Sequence, residues 1–142
     1  MSLAFVLDAS VAIRWALHDG SAADRTYADR VLDSLAKSSA HVPALLHTQL
    51  VHVLRCDEDD AKIGESAIAA YFARLNLLPI ATDPTAPRAL SAGVASVSRE
   101  YKLSGYDAQY LELALRLQLP IATLDKKLRK SAVKAGLSVW SV

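Results

Sequence analysis

The sequence predicts an α/β fold, a mostly parallel sheet covered by helices. Short apolar runs of strand length alternate with longer segments of helical periodicity through the 142-residue chain. The first run, Ala4–Leu7, is apolar on both faces, as expected of a strand buried between helices. Two of the runs, Leu3-Ala4-Phe5-Val6-Leu7 and Pro120-Ile121-Ala122-Thr123-Leu124, end directly in an aspartate, Asp8 and Asp125. A strand closed by an acid and followed by a helix is how parallel α/β folds place carboxylates at one sheet edge.

The elements follow in order. Ala4–Leu7 is a first strand and Ser10–Leu17 a short helix. Ala22–Lys37 is a longer helix with Tyr27, Val31, Leu32 and Leu35 on one side. His41-Val42-Pro43 marks a brief second strand. Ala44–Cys56 is helical through Leu45, Leu46, Leu50, Val53 and Leu54, and Ala61–Leu75 through Ile63, Ile68, Tyr71, Phe72 and Leu75. The acidic run Asp57-Glu58-Asp59-Asp60 between them reads as a solvated turn. Leu77–Ile80 is a third strand. Asp83-Pro84 pairs an N-cap with a proline at the first helical position and opens a helix to Tyr101. Tyr106–Leu117 is helical, Ile121–Leu124 a strand, Asp125–Lys134 a helix, and Ser138–Trp140 a last strand.

Composition narrows the class. With 52% hydrophobic and 22% charged residues the chain is globular rather than disordered, and its length suits one domain over residues 1–142. The net charge of +1 gives no global field towards nucleic acid, so any such contact must be local. Cys56 is the sole cysteine, which excludes an intramolecular disulfide and fits a reducing compartment. No basic segment leads into a long apolar run, and no stretch approaches the roughly 20 residues that span a bilayer. A cytoplasmic protein without membrane contact is expected.

Three aspartates carry the chemistry: Asp8, Asp107 and Asp125. Each has an ordinary structural reading. Asp8 and Asp125 precede helices, where aspartate is a favoured N-cap worth about 1 kcal/mol. Asp107 follows Ser104 at capping-box spacing. Capping does not explain why acids also close both apolar strands. A shared, oxygen-rich pocket for Mg2+ or Mn2+ is the other reading, and both stand on pattern alone.

The segments Val6-Leu7-Asp8-Ala9-Ser10-Val11, Leu103-Ser104-Gly105-Tyr106-Asp107-Ala108-Gln109-Tyr110-Leu111 and Ala122-Thr123-Leu124-Asp125-Lys126-Lys127-Leu128 resemble the three motif blocks of PIN-domain proteins. Within that group the chain looks most like the VapC-type toxins of bacterial toxin–antitoxin pairs. The resemblance implies a three-layer α/β/α sandwich. It also implies a Mg2+- or Mn2+-dependent ribonuclease that cuts RNA, a cognate antitoxin partner and a homodimer. Carried over by position, Asp8, Asp107 and Asp125 are the catalytic and metal-binding acids, with Ser10 and Thr123 as small hydroxyl residues that support them. One block departs from the pattern: Gln49 stands where a glutamate is expected, and His52 where asparagine is frequent.

Hydrolysis of a phosphodiester needs an activated water, a phosphate held in line and neutralisation of developing charge, all of which a divalent ion can supply. Glutamine in place of glutamate keeps one oxygen, as a weak or water-mediated ligand, and removes one negative charge. A one-metal or weak-metal site is therefore expected. His52 as a ligand would bias the site towards Mn2+; its ordinary reading is a polar helix residue. His47 lies on another helix face. Glu112, five residues after Asp107, reads as solvent-facing or supporting. Arg14, Lys126 and Lys127 are the cations placed to meet RNA phosphates, although the last two also suit the solvated face of a terminal helix. Trp15 and Tyr106 suit base stacking or ordinary packing.

Two other functions compete. One is a PIN-like module that binds RNA or protein but has lost efficient catalysis through Gln49. The other is a phosphatase using Asp8 as nucleophile, which would want a second acid where Ser10 stands.

Overall fold

The computed structural model describes residues 3–17 and 19–142. Strand β1 (Leu3–Leu7) leads into helix α1 (Ala9–Ala12) and a 3-10 turn (Ile13–Trp15). Then come α2 (Ala22–Ser34), β2 (Ser38–Val42), α3 (Leu45–Asp59), α4 (Glu65–Leu75), β3 (Ile80–Thr82) and α5 (Pro87–Tyr101). The chain closes with α6 (Gly105–Leu117), β4 (Ile121–Ala122) and α7 (Lys126–Lys134). The strands lie in the order β3-β2-β1-β4, and every pairing among them is parallel. This is the expected α/β/α arrangement, with β1 at the centre. Phe5, Val6 and Leu7 are fully buried, which is why that strand is apolar on both faces.

Helical spacing turns the right residues inward. Leu46, Leu50 and Leu54 recur every four residues and bury one stripe of α3. In α6 the buried set is Ala108, Tyr110, Leu111, Leu113 and Ala114. Truncating any of these leucines to alanine would cost about 2–5 kcal/mol. Tyr71 of α4 buries its ring and donates its hydroxyl to the Ala12 carbonyl at 2.6 Å, which ties α4 to the end of α1. Trp140 stacks on Phe5 with centroids 4.6 Å apart, and its carbonyl accepts from Tyr27 Oη at 2.8 Å.

Several boundaries differ from the sequence-based expectation, each for a local reason. The helix expected from Asp83-Pro84 begins at Pro87, after Ala86. Asp83 caps no helix; it accepts from Thr85 N at 3.3 Å, Thr85 Oγ1 at 3.0 Å and Arg116 Nη2 at 2.6 Å. The third strand is Ile80–Thr82 rather than 77–80, and Leu77 is 86% exposed in the turn before it. The acidic run is the last turn and C-cap of α3, held by Arg55 to Glu58 and Asp59. The next helix starts at Glu65 instead of Ala61, because Ala61 takes a left-handed conformation with φ 59°. The last strand reduces to one parallel bridge, Val139 to Ile121.

Candidate active site at the carboxyl edge of the sheet

Parallel register builds the centre of the site. Leu7 of β1 pairs with Ala122 of β4, so the residues that follow, Asp8 and Thr123, emerge side by side at the same edge. The Asp8 N–H donates to the Ala122 carbonyl at 2.9 Å. Thr123 Oγ1, 115 residues away in sequence, donates to Asp8 Oδ2 at 2.7 Å. Ser10 Oγ donates to the same oxygen at 2.5 Å, and the Ser10 N–H reaches it at 3.4 Å. The two hydroxyls are themselves anchored: Ser10 Oγ accepts from Leu124 N and Thr123 Oγ1 from Asp125 N, each at 3.0 Å.

Asp8 is only 5% exposed. All three hydrogen bonds to its carboxylate fall on Oδ2, and Oδ1 has no donor among the described residues. Burial raises the carboxyl above its ordinary value of 3.8; the two hydroxyls oppose that rise and the charge of Asp107 adds to it. Ser10 and Thr123 both bond the Asp8 carboxylate directly. They aim one carboxylate oxygen inward and stabilise its charged form.

Asp107 sits in the first turn of α6, half-buried, with its N–H donated to the N-cap Ser104 Oγ at 3.1 Å. Burial raises its carboxyl, and the nearby charge of Asp125 raises it further, while Lys127 pulls it down. Asp125 is the N-cap of α7, where Oδ1 accepts from Lys127 N at 2.9 Å and Leu128 N at 3.2 Å. Its Oδ2 takes no donor among the described residues. Capping and clustering therefore coexist. Asp8 and Asp125 each use one oxygen to start a helix, and Asp107 is electrostatically coupled to both.

Gln49 of α3 borders the same region. It lines an open cleft of about 540 Å³ with Ser10, Ile13, Leu45, His52 and Tyr106. Its Oε1 accepts from Tyr110 Oη at 2.6 Å. Tyr110 is fully buried, and its phenol is pushed up by burial and by the charges of Asp8 and Asp107. Sequence reading missed Tyr110. It lies three residues after Asp107 on one helix face, a spacing that could have marked it, but a tyrosine in an apolar stripe reads first as core.

The other candidates are placed as follows. Lys126 and Lys127 are exposed at the start of α7, and Lys127 is close enough to act on Asp107. Arg14 is ion-paired with Asp19 at 2.5 Å. His52 is exposed on α3, with Nε2 3.9 Å from Cys56 Sγ. His47 bonds Thr82 Oγ1 at 2.8 Å, and Glu112 pairs with Arg116 at 2.8 Å. Trp15 donates Nε1 to the Ala28 carbonyl at 2.9 Å and packs on the core, whereas Tyr106 is 64% exposed beside the cleft. Arg129, near the lysines in sequence, donates to the Thr123 carbonyl at 2.6 Å and lies over the Tyr27 ring.

The donor set suits a hard divalent ion. It consists of oxygens only, Asp107 raises the Asp8 carboxyl and Asp125 that of Asp107, and Asp8 and Asp125 each keep an oxygen without a protein donor among the described residues. Among the described residues no three His, Cys, Asp or Glu side chains already stand at closed metal-binding spacing. Likewise, no helix among the described residues is long and apolar enough to cross a membrane.

The chain is similar in structure to a protein solved as the crystal structure of PAE2754 from Pyrobaculum aerophilum, with a TM-score of 0.68 at 18% sequence identity. That likeness covers 92% of this chain and 87% of the other, and it concerns the fold. No curated protein matches the sequence. The PIN domain family model matches residues 5–134, from the first strand to the last helix, and so takes in all three aspartates. PIN domains are typically nucleases that use divalent metals and bind nucleic acids. With sheet order, acidic edge and family model in agreement, this chain belongs to the PIN domain family.

Proposed function

We propose that this chain is a Mg2+- or Mn2+-dependent endoribonuclease that hydrolyses RNA phosphodiester bonds. The observation that carries the reading is the acidic edge. Asp8 is held by Ser10 and Thr123, the charge of Asp107 raises its carboxyl, and the charge of Asp125 in turn raises that of Asp107. Asp8, Asp107 and Asp125 would hold the ion, which when bound supplies an activated water and neutralises charge developing on the phosphate. Ser10 and Thr123 fix the angle of Asp8 and oppose the rise that burial imposes on its carboxyl. Lys126 and Lys127 offer exposed cations for flanking phosphates, and Tyr106 an exposed ring for a base. Arg14 reaches RNA only after leaving Asp19.

The motif blocks further support a VapC-type toxin, acting as a homodimer in the cytoplasm and silenced by a cognate antitoxin. Residues 1–142 then form one catalytic domain. A second reading, a PIN-like module that binds without turnover, is favoured by Gln49 at the expected glutamate position. The two part on one assay. Cleavage of single-stranded RNA should appear with Mg2+ or Mn2+, vanish with chelator and fall at least about 100-fold in Asp8→Asn. Binding without metal-dependent cleavage establishes the module instead, and cleavage that survives Asp8→Asn removes this site from the chemistry.

A further inference from the structure

The nuclease reading leaves Gln49 of the cleft without a function, and the inference here rests on that reading. We propose that Gln49 binds substrate, donating its side-chain N–H2 to an RNA phosphate oxygen at the mouth of the acidic pocket, and is not a ligand of the ion.

The amide is oriented by its neighbour. Oε1 is the atom a cation would take, and it already accepts from Tyr110 Oη at 2.6 Å. Tyr110 is fully buried on α6, so its hydroxyl has no water to turn to and needs a protein acceptor. The acceptor side of the phenol oxygen meets the backbone N–H of Ala9. Its proton therefore goes to Gln49, and a carbonyl oxygen, not an amide nitrogen, must face it. Nε2 is left with no partner among the described residues, on a side chain that lines the open cleft beside Ser10.

The chemistry of the pocket calls for such a group. Ionised Asp8, Asp107 and Asp125 only accept hydrogen bonds. A phosphate entering among them meets like charge and, apart from the ion, finds no donor on those three side chains. A neutral amide supplies a donor without the charge that would tie a lysine or arginine to the acids. A glutamate at this position would offer no N–H and would add to the repulsion. Tyr110 acts as a positioning residue, since it touches neither ion nor RNA and sets which end of the amide faces outward.

The test separates metal from phosphate. Mn2+ alone is titrated by calorimetry into the native protein and into Gln49→Ala, Gln49→Glu, Tyr110→Phe and Asp107→Asn. Binding of a fluorescein-labelled short single-stranded RNA is then followed by anisotropy, with Ca2+ replacing Mg2+ and strand integrity checked by gel. Gln49→Ala should bind Mn2+ within about twofold of native and lose about tenfold in RNA affinity, the effect of one hydrogen bond to a charged group. Gln49→Glu should bind Mn2+ more tightly and RNA more weakly. Tyr110→Phe should weaken RNA binding alone but add nothing in the Gln49→Ala background, which a merely structural tyrosine would not do. If Gln49→Ala loses Mn2+ affinity as Asp107→Asn does, the amide faces the other way and the proposal is overturned. Unchanged RNA affinity in Gln49→Ala overturns it as well. A native protein that binds neither Mn2+ nor RNA defeats the nuclease reading itself, and this inference with it.

Discussion

Asp8 shows how one residue can be both structure and chemistry. Its Oδ2 caps α1 through Ser10 N and takes two hydroxyls, and Oδ1 stays without a donor among the described residues. The cost is electrostatic. Asp8 and Asp107 both hold their protons above the ordinary value of 3.8, by burial first and then by a neighbouring acid. A carboxyl raised in the folded chain favours folding fully below its unfolded pKa, and that advantage is lost as pH rises through the raised value. The contribution of Asp8 and Asp107 to the stability of the metal-free protein should therefore fall from the ordinary carboxylate range upward. Asp107→Asn should raise its melting temperature at neutral pH by about 2 °C, with no gain in strong acid. A lower midpoint at neutral pH would show that Asp107 is stabilising where it stands, contrary to this account. Asp8, Asp107 and Asp125 stood out as candidates because each sits at a switch in sequence pattern. Tyr110 was not, because core tyrosines and site tyrosines share the same helical spacing.

At the scale of elements, the junction between β3 and α5 shows what local rules leave open. Asp-Pro is a sound helix-start signal, and Asp83-Pro84 carries it. The helix begins at Pro87 because Arg116, from the distant α6, takes Asp83 at 2.6 Å and Glu112 at 2.8 Å. The Arg116 hydrogen bond holds the Asp83 carboxyl below its ordinary value. Such a contribution is present above the unfolded pKa and is lost as pH falls through the depressed one. Arg116→Ala should destabilise by about 1–2 kcal/mol at neutral pH, measured by denaturant midpoint, with the difference from native shrinking in acid. A constant difference across that range would mean that Arg116 acts through packing of its stem instead. The long helices α2, α3 and α6 were readable from their stripes. The short pieces β3, β4 and the last bridge were not, since two or three residues carry too little periodicity to set a boundary.

For the whole molecule, the sheet sets the function by geometry. The order β3-β2-β1-β4 brings the ends of β1 and β4 together, and with them residues more than 110 positions apart. Mn2+ binding at this edge should stabilise the fold by mass action, by about 2.7 kcal/mol at roughly 100 times its dissociation constant, or roughly 8 °C. The shift should disappear in Asp8→Asn, and an equal shift there would locate the ion elsewhere. The alternation of strand and helix and the three acids at pattern switches are local properties, so the sequence by itself determined the α/β class and the family, and marked the three acids as candidates. Register and orientation are not local. Only the tertiary structure decided that Thr123 meets Asp8, that Arg116 withdraws Asp83 from a helix start, and that Tyr110 takes the oxygen of Gln49. Each of these depends on which distant side chain arrives within hydrogen-bonding distance, and that follows from how the whole core closes.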